Sequence, residues 1–224
     1  LSAIAGHPSV RWIEYVAPKM SLDGERETQI LTGNVDNVAA PNTAPVVGYQ
    51  AWLADLGLGG AGVTISICDT GVDAGPNNNA TGHPDLRGRQ AAFIDYSTPP
   101  GSNVTDTDGH GTHVAGIAVG NAATGQTEAA APNDFLWGQG MAPQADYITQ
   151  NSGQGPWPPN FENLTQDAVN NGAQVMNNSW NTSGGGPSTG YTSECQQWDQ
   201  LVRDPNPVAS GLENLVVVFS AGNA

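Results

Sequence analysis

Short apolar runs, each ending in a polar residue, constrain the fold of this chain more than any other feature. They alternate with segments of helical periodicity, which is typical of an α/β fold with a mostly parallel sheet. Because crossovers between parallel strands are right-handed, helices cover both faces of the sheet and the carboxyl ends of the strands share one edge. The residues predicted at that edge are Asp69, Gln150, Ser179 and Asn223.

The periodicity of apolar residues defines the individual elements. The predicted strands are the one that ends at Asp69 and those over residues 91–94, 146–150, 174–178 and 215–220. The predicted helices cover residues 49–58, 110–120 and 193–203, and one more helix begins after a cap at Asn160. This order of elements predicts that residues 48–224 form one α/β domain.

The segment from Asp108 to Gly116 reads Asp-Gly-His-Gly-Thr-His-Val-Ala-Gly. Glycines on both sides of His110 let the backbone turn tightly and approach another group closely. The apolar residues that follow recur at helical spacing, so His110 is predicted in the first turn of a helix. An imidazole titrates near neutral pH, and a histidine in this position is suited to proton transfer.

Two of the predicted strands deliver further polar groups. Asp69 ends the run Ile-Ser-Ile-Cys-Asp, and Asn223 follows the run Val-Val-Val-Phe-Ser-Ala-Gly. Together with His110 they supply an acid, a base and an amide donor at the ends of strands or helices. Each has a structural alternative, since Asp69 can cap a turn and Asn223 can be a turn residue.

With these three segments the chain resembles the subtilisin-like serine proteases, in which the blocks occur in the same order. The resemblance implies that His110 is the general base, that Asp69 orients it, and that Asn223 donates to the oxyanion. Within the family, Asn177-Asn178-Ser179-Trp180 and the Gly-rich segment after Gln150 look closest to the oxidatively stable alkaline protease branch. The expected activity is hydrolysis of peptide bonds in proteins.

Two further segments resemble the family's substrate-binding edges. Gly153 and Gly155 match a Gly-x-Gly segment that pairs with an extended substrate, and Ser179, Trp180 and Asn181 match the facing segment. A cleft between two such edges binds a peptide as an added strand. The alternative is two surface loops, with Trp180 packed against a helix.

The family's nucleophile block, Gly-Thr-Ser, does not occur among the 224 residues. We therefore expect a fragment that is truncated before the helix carrying the nucleophile and that is inactive by itself. The alternative is a degenerate, non-catalytic subtilase that binds extended peptides. An α/β hydrolase is disfavoured because no Gly-x-Ser-x-Gly elbow is present.

Composition limits the partners and the compartment. A net charge of −15 with only 6 Lys and Arg residues disfavours nucleic acid as a partner. No apolar run is long enough to cross a membrane. We expect a secreted monomer that acts on proteins or peptides. Cys68 is predicted to be a buried thiol and Cys195 to pack on a helical face, so a disulfide between them is disfavoured.

Residues 1–47 differ from the rest of the chain. The alternating residues 10–16 resemble the last strand of the family's inhibitory propeptide, and an N-terminal strand of the main domain is the alternative. Residues 1–47 are interpreted as a propeptide remnant and linker, with residues 17–45 exposed.

No cofactor is expected to be required. The family resemblance makes calcium a possible structural ion at Asp85, in His-Pro-Asp-Leu. Since calcium needs six or more oxygen ligands, one carboxylate does not define such a site, and no metal ligand is assigned.

Overall fold

A computed structural model describes residues 25–36, 45–97, 99–102, 104–127, 134–152, 160–180, 190–211 and 213–220. Five parallel strands in this part of the chain form one sheet in the order β2-β3-β1-β4-β5. The strands are β1 (Thr64–Asp69), β2 (Gln90–Asp95), β3 (Asp146–Asn151), β4 (Val175–Asn178) and β5 (Val216–Phe219). All five predicted strands are confirmed, and no predicted end differs from the observed one by more than one residue.

Six α-helices lie within the described residues. They are α1 (Glu25–Thr32), α2 (Tyr49–Leu56), α3 (Asn78–Thr81), α4 (His110–Val119), α5 (Phe161–Asn170) and α6 (Ser193–Leu201). The side chain of Asn160 accepts a hydrogen bond from the backbone N–H of Glu162, which confirms the predicted cap of α5. Thr192 caps α6 in the same way, through the N–H of Cys195.

Helices cover both faces of the sheet. Alternate residues of each strand point to opposite faces, so each strand contributes side chains to both layers of packing. On one face, Ile67 of β1 and Tyr147 of β3 pack with residues of α4. On the other face, Cys68 and Ile148 pack with residues of α5 and α6. The predicted three-layer α/β architecture is confirmed for the described part of the chain.

Register places the carboxyl ends of the strands along one edge, as predicted. Asp69 lies opposite Asn151 of β3, and its neighbour Cys68 lies opposite Asn178 of β4. Since β1 is the middle strand, Asp69 is at the centre of this edge. The carboxylate on Asp69 points to the face covered by α4, because it shares that side of the strand with Ile67.

The first helix corrects the interpretation of the N-terminal segment. Residues 17–45 were expected to be exposed, yet Glu25, Thr28 and Gln29 of α1 are buried. The Glu25 carboxylate accepts hydrogen bonds from the backbone N–H groups of Gly48, Tyr49 and Leu136. The expectation of exposure is therefore wrong for α1, which is anchored to the α/β domain. The predicted strand over residues 10–16 lies outside the described residues, and the boundary at residue 47 stays a prediction.

The two cysteines differ in their surroundings. Cys68 is a buried free thiol, as predicted. Cys195 is also free, but it is exposed in the first turn of α6, so the prediction that it packs on a helical face is wrong. In the described part of the chain, no helix has both the length and the apolar character needed to span a bilayer.

The anchor at Glu25 gives a test of this packing. In Glu25→Gln, one carboxylate oxygen becomes an amide nitrogen, which faces backbone N–H groups whichever way it turns. We expect the free energy of unfolding to fall by roughly 2–3 kcal/mol, because a buried backbone donor loses its acceptor. Chemical denaturation measures this change. The matched control is Asp55→Asn on the exposed side of α2, and equal stability of the two variants would contradict the anchor.

Candidate active site

The approach of α4 to the end of β1 creates the centre of the site. Gly109 precedes the helix with φ of 88°, a left-handed conformation that favours glycine. A Cβ on Gly111 would lie 2.0 Å from the carbonyl oxygen of Gly71 and 2.9 Å from the Cβ of Asp69. Only a residue without a side chain permits this contact, which confirms the prediction of a close backbone approach beside His110.

The contact brings the predicted acid and base together. The Nδ1 atom of His110 lies 2.7 Å from Oδ1 of Asp69. The Asp69 side chain is only 3% exposed, whereas the His110 side chain is 47% exposed. One ring nitrogen is therefore held by a buried carboxylate while the imidazole remains open to solvent. The sequence-based prediction that these two residues are within hydrogen-bonding distance is confirmed.

Several bonds hold the Asp69 residue in place. Its Oδ1 accepts a hydrogen bond from the backbone N–H of Thr70 at 2.7 Å. Its carbonyl oxygen accepts from both the N–H and the hydroxyl of Ser152, at 3.0 and 2.9 Å. Asp69 ends β1 and Ser152 directly follows β3, so these bonds join the acid to the neighbouring strand.

The surroundings of His110 favour its charged form. The hydrogen bond to Asp69 raises the pKa of His110 above its ordinary value, and partial burial opposes this shift. The negative charges of Asp69, Asp108 and Asp106 add to the increase. A base with this raised pKa accepts a proton more readily and is neutral only at correspondingly higher pH.

A third carboxylate, Asp106, connects the loop before α4 to the end of β1. Its Oδ1 accepts hydrogen bonds from the Thr70 hydroxyl and the Gly109 N–H, and its Oδ2 accepts from the N–H and hydroxyl of Thr112. Burial alone would raise the pKa of Asp106, but these hydrogen bonds hold it below its ordinary value. The sequence analysis missed this residue. Its position just upstream of His110 was the available signal.

The remaining predicted site residues are only partly within the described chain. Asn223, Gly153, Gly155 and Asn181 lie outside the described residues. Ser179 directly follows β4 on the same edge as Asp69, and its hydroxyl accepts a hydrogen bond from the side-chain amide of Asn177 at 2.9 Å. The role of Asn223 as oxyanion donor and the substrate-binding roles of the other residues stay predictions.

Trp180 packs within an aromatic cluster. Its ring lies 6.3 Å from that of Phe161 in a stacked arrangement and meets the ring of Phe219 edge-on at 5.7 Å. Trp198 of α6 completes the cluster, with its ring 6.4 Å from that of Trp180. The side chain is half-buried against the core beneath α5 and α6. Trp180 thus has a packing role, and contact with substrate stays a prediction for its exposed part.

Asp85 lies away from the Asp69–His110 pair, beside a cavity of about 700 Å³ along the flank of α4. The cavity lining includes His83, Asp106 and His113 but neither Asp69 nor His110. One Asp85 oxygen accepts the N–H of Thr124 at 3.0 Å, and the other lies 3.5 Å from Nδ1 of His83. Among the described residues, no group of three His, Cys, Asp or Glu side chains is arranged to hold a metal ion. Calcium as a structural ion at Asp85 stays a prediction.

Known proteins resemble the chain over most of its length. The model of the subtilase family matches residues 60–224, which include Asp69, His110 and Asn223. The minor extracellular protease Vpr of Bacillus subtilis is 30% identical over 195 residues, covering 82% of this chain and 20% of that protein.

Two other relatives match shorter stretches. Thermitase of Thermoactinomyces vulgaris is 36% identical over 57% of this chain and 39% of its own length. A subtilisin from a Bacillus species is 40% identical over 35% of this chain and 18% of its own length. The chain thus spans less than two fifths of each of these relatives. The match of the family model over residues 60–224 shows that the chain belongs to the subtilase family.

Proposed function

We propose that the protein is a serine endopeptidase and that this chain supplies its general base. The observation that carries the proposal is the 2.7 Å contact between His110 and a buried Asp69 at the centre of the strand-end edge. Membership of the subtilase family supports the protease class. The reaction is transfer of the acyl part of a peptide to a serine hydroxyl, followed by hydrolysis of the ester.

Each named residue has a defined role in this reaction. With Nδ1 bonded to Asp69, the other ring nitrogen of His110 takes the proton from the serine hydroxyl and later gives it to the leaving amine. Asp69 fixes the tautomer and stabilises the imidazolium. Asn223 donates its side-chain amide to the oxyanion of the tetrahedral intermediate. The family resemblance supports a serine nucleophile that follows the Asn223 block in the natural-length protein.

The substrate is an extended peptide bound as an added strand. Gly153 and Gly155 form one edge of the proposed cleft, and Ser179, Trp180 and Asn181 form the other. The position of Ser179 beside the Asp69 edge supports this arrangement. The aromatic cluster around Trp180 would support an apolar subsite wall.

The finer assignments are part of the same proposal. Asn177-Asn178-Ser179-Trp180 supports a relationship with the oxidatively stable alkaline protease branch. Secretion is supported by the acidic composition and by the name of the relative Vpr, an extracellular protease. A monomeric state without nucleic acid or membrane partners, no required cofactor, and calcium as a structural ion remain predictions.

A peptide-binding subtilase without catalysis is the second candidate. Both candidates retain the cleft, so peptide binding does not separate them. Hydrolysis by the natural-length protein does, because only the enzyme has an activated serine. The oxygen of such a serine also attacks a fluorophosphonate at phosphorus and displaces fluoride, which labels the protein covalently.

Substitution of the proposed base tests the enzyme directly. In the natural-length protein, His110→Ala should lower kcat by several orders of magnitude with KM for a peptide substrate nearly unchanged, because the serine loses its base. Asn223→Ala should cost about a hundredfold or more in kcat; in subtilisin, loss of this donor costs roughly 2.7–4 kcal/mol. His83→Ala, an exposed histidine outside the Asp69–His110 pair, is the control. Undiminished hydrolysis by His110→Ala would overturn the assignment.

The pH dependence of the pair gives a second test. The hydrogen bond to Asp69 is the largest cause of the raised pKa of His110, so Asp69→Asn should lower that pKa toward its ordinary value. In the unsubstituted protein, activity should rise with pH through a midpoint above the ordinary pKa of histidine, since only the neutral imidazole is a base. Titration of the His110 ring by NMR measures the shift. Asp95→Asn, at the end of β2 on the same edge, should leave it in place, and an unchanged titration in Asp69→Asn would refute the pairing.

A further inference from the structure

The hydrogen-bonding of Asp106 is directed at the two segments that meet in the active site. Through Oδ1 it accepts from the Thr70 hydroxyl at 2.9 Å, and Thr70 is the residue next to Asp69. Through the same oxygen it accepts from the N–H of Gly109 at 3.0 Å, and Gly109 is the residue before His110. One carboxylate oxygen therefore contacts the neighbour of the acid and the neighbour of the base.

Thr70 extends this connection into the helix. Its hydroxyl oxygen accepts a hydrogen bond from the N–H of Gly111 at 3.0 Å, while its own N–H donates to Asp69 at 2.7 Å. The other oxygen of Asp106 accepts from the N–H of Thr112 at 2.8 Å. The first turn of α4 is thus attached to the end of β1 on both sides of His110.

We propose that Asp106 is a positioning residue, which sets the distance and orientation of His110 relative to Asp69 by holding the first turn of α4 against the end of β1. The inference rests on the proposed function, since it assigns Asp106 to the same reaction. Asp106 acts through Thr70, Gly109 and Thr112, and it does not contact the reacting atoms. The groups whose charges face the His110 ring are Asp69, Asp108 and Asp106 itself.

Both oxygens of Asp106 are needed for this role. Each accepts a backbone N–H, from Gly109 on one side and Thr112 on the other. In Asp106→Asn, the amide NH₂ faces one of these donors in either orientation, and that hydrogen bond is lost. The first turn of α4 should then shift or loosen, and a small misplacement of a catalytic group can cost as much as about a hundredfold in rate.

Asp108 offers a matched control within the same loop. It is exposed, its charge also faces His110, and its side chain accepts one bond of 3.3 Å, from the N–H of His110. Asp108→Asn removes the same charge as Asp106→Asn without disconnecting the helix from β1. A loss of rate caused only by charge would appear in both variants, whereas a loss caused by position would appear in Asp106→Asn alone.

The experiment compares wild type, Asp106→Asn and Asp108→Asn in the natural-length protein. We expect kcat to fall roughly 10- to 100-fold in Asp106→Asn, with KM nearly unchanged, and less than about threefold in Asp108→Asn. In NMR spectra at low pH, the low-field proton shared by His110 Nδ1 and Asp69 should be present in wild type and Asp108→Asn. It should be lost or moved upfield in Asp106→Asn.

The outcomes distinguish the positioning role of Asp106 from the proposed protease activity. Wild-type protein that hydrolyses no peptide contradicts the proposed function, and the NMR signal then tests the positioning alone. An Asp106→Asn variant with wild-type kcat and an unchanged low-field proton overturns the positioning role, as do equal rate losses in the two variants. If Asp106→Asn does not fold, Thr112→Val removes the hydroxyl bond to Oδ2, together with the bond that this hydroxyl accepts from the N–H of Asp73, and should give a smaller change of the same kind.

Discussion

The close contact between α4 and the end of β1 is the constraint on which the site depends. A side chain at residue 111 would overlap the Gly71 carbonyl group and the Asp69 side chain, so glycine permits the helix to begin at this distance. His110 is the residue before Gly111, and its Nδ1 atom lies 2.7 Å from Oδ1 of Asp69. The parallel sheet supplies the other half of the contact, since it places Asp69 at the end of its middle strand. Backbone packing therefore determines the geometry of the acid and base.

Carboxylates are used throughout this acidic chain as acceptors for backbone N–H groups. Glu25 joins α1 to residues 48, 49 and 136, Asp106 joins α4 to β1, and Asp85 accepts from Thr124. With 6 cationic side chains for 21 acids, ion pairs can satisfy only a minority of the carboxylates. A buried or half-buried carboxylate that accepts several N–H bonds is stabilised without a cation. Hydrogen bonds from backbone N–H groups thus anchor the loops and also stabilise the negative charges of these carboxylates.

What the sequence predicts well is local and repetitive. The strands could be identified because each is a short apolar run, and the Asp69–His110 contact because both residues lie in specific blocks of a recognisable family. Helix α1 was missed because its buried face carries Glu25, Thr28 and Gln29, which a hydrophobic pattern cannot detect. Asp106 was missed for a related reason, since two of its four bonds go to backbone N–H groups that every loop possesses. Cys195 was placed wrongly because helical spacing does not reveal which face a neighbouring element covers.

The difference in burial between the two partners suits the pair to the proposed role of a catalytic base. Asp69 is almost completely enclosed, so its charge acts on His110 with little screening by water. His110 is about half exposed, which limits the cost of charging it and leaves its ring accessible to a substrate. If both groups were buried, the imidazolium would lose its hydration; if both were exposed, the carboxylate would neither hold the ring nor raise its pKa effectively. The end of a central strand beneath the first turn of a helix satisfies both requirements, because the strand encloses the acid while the helix terminus presents the base.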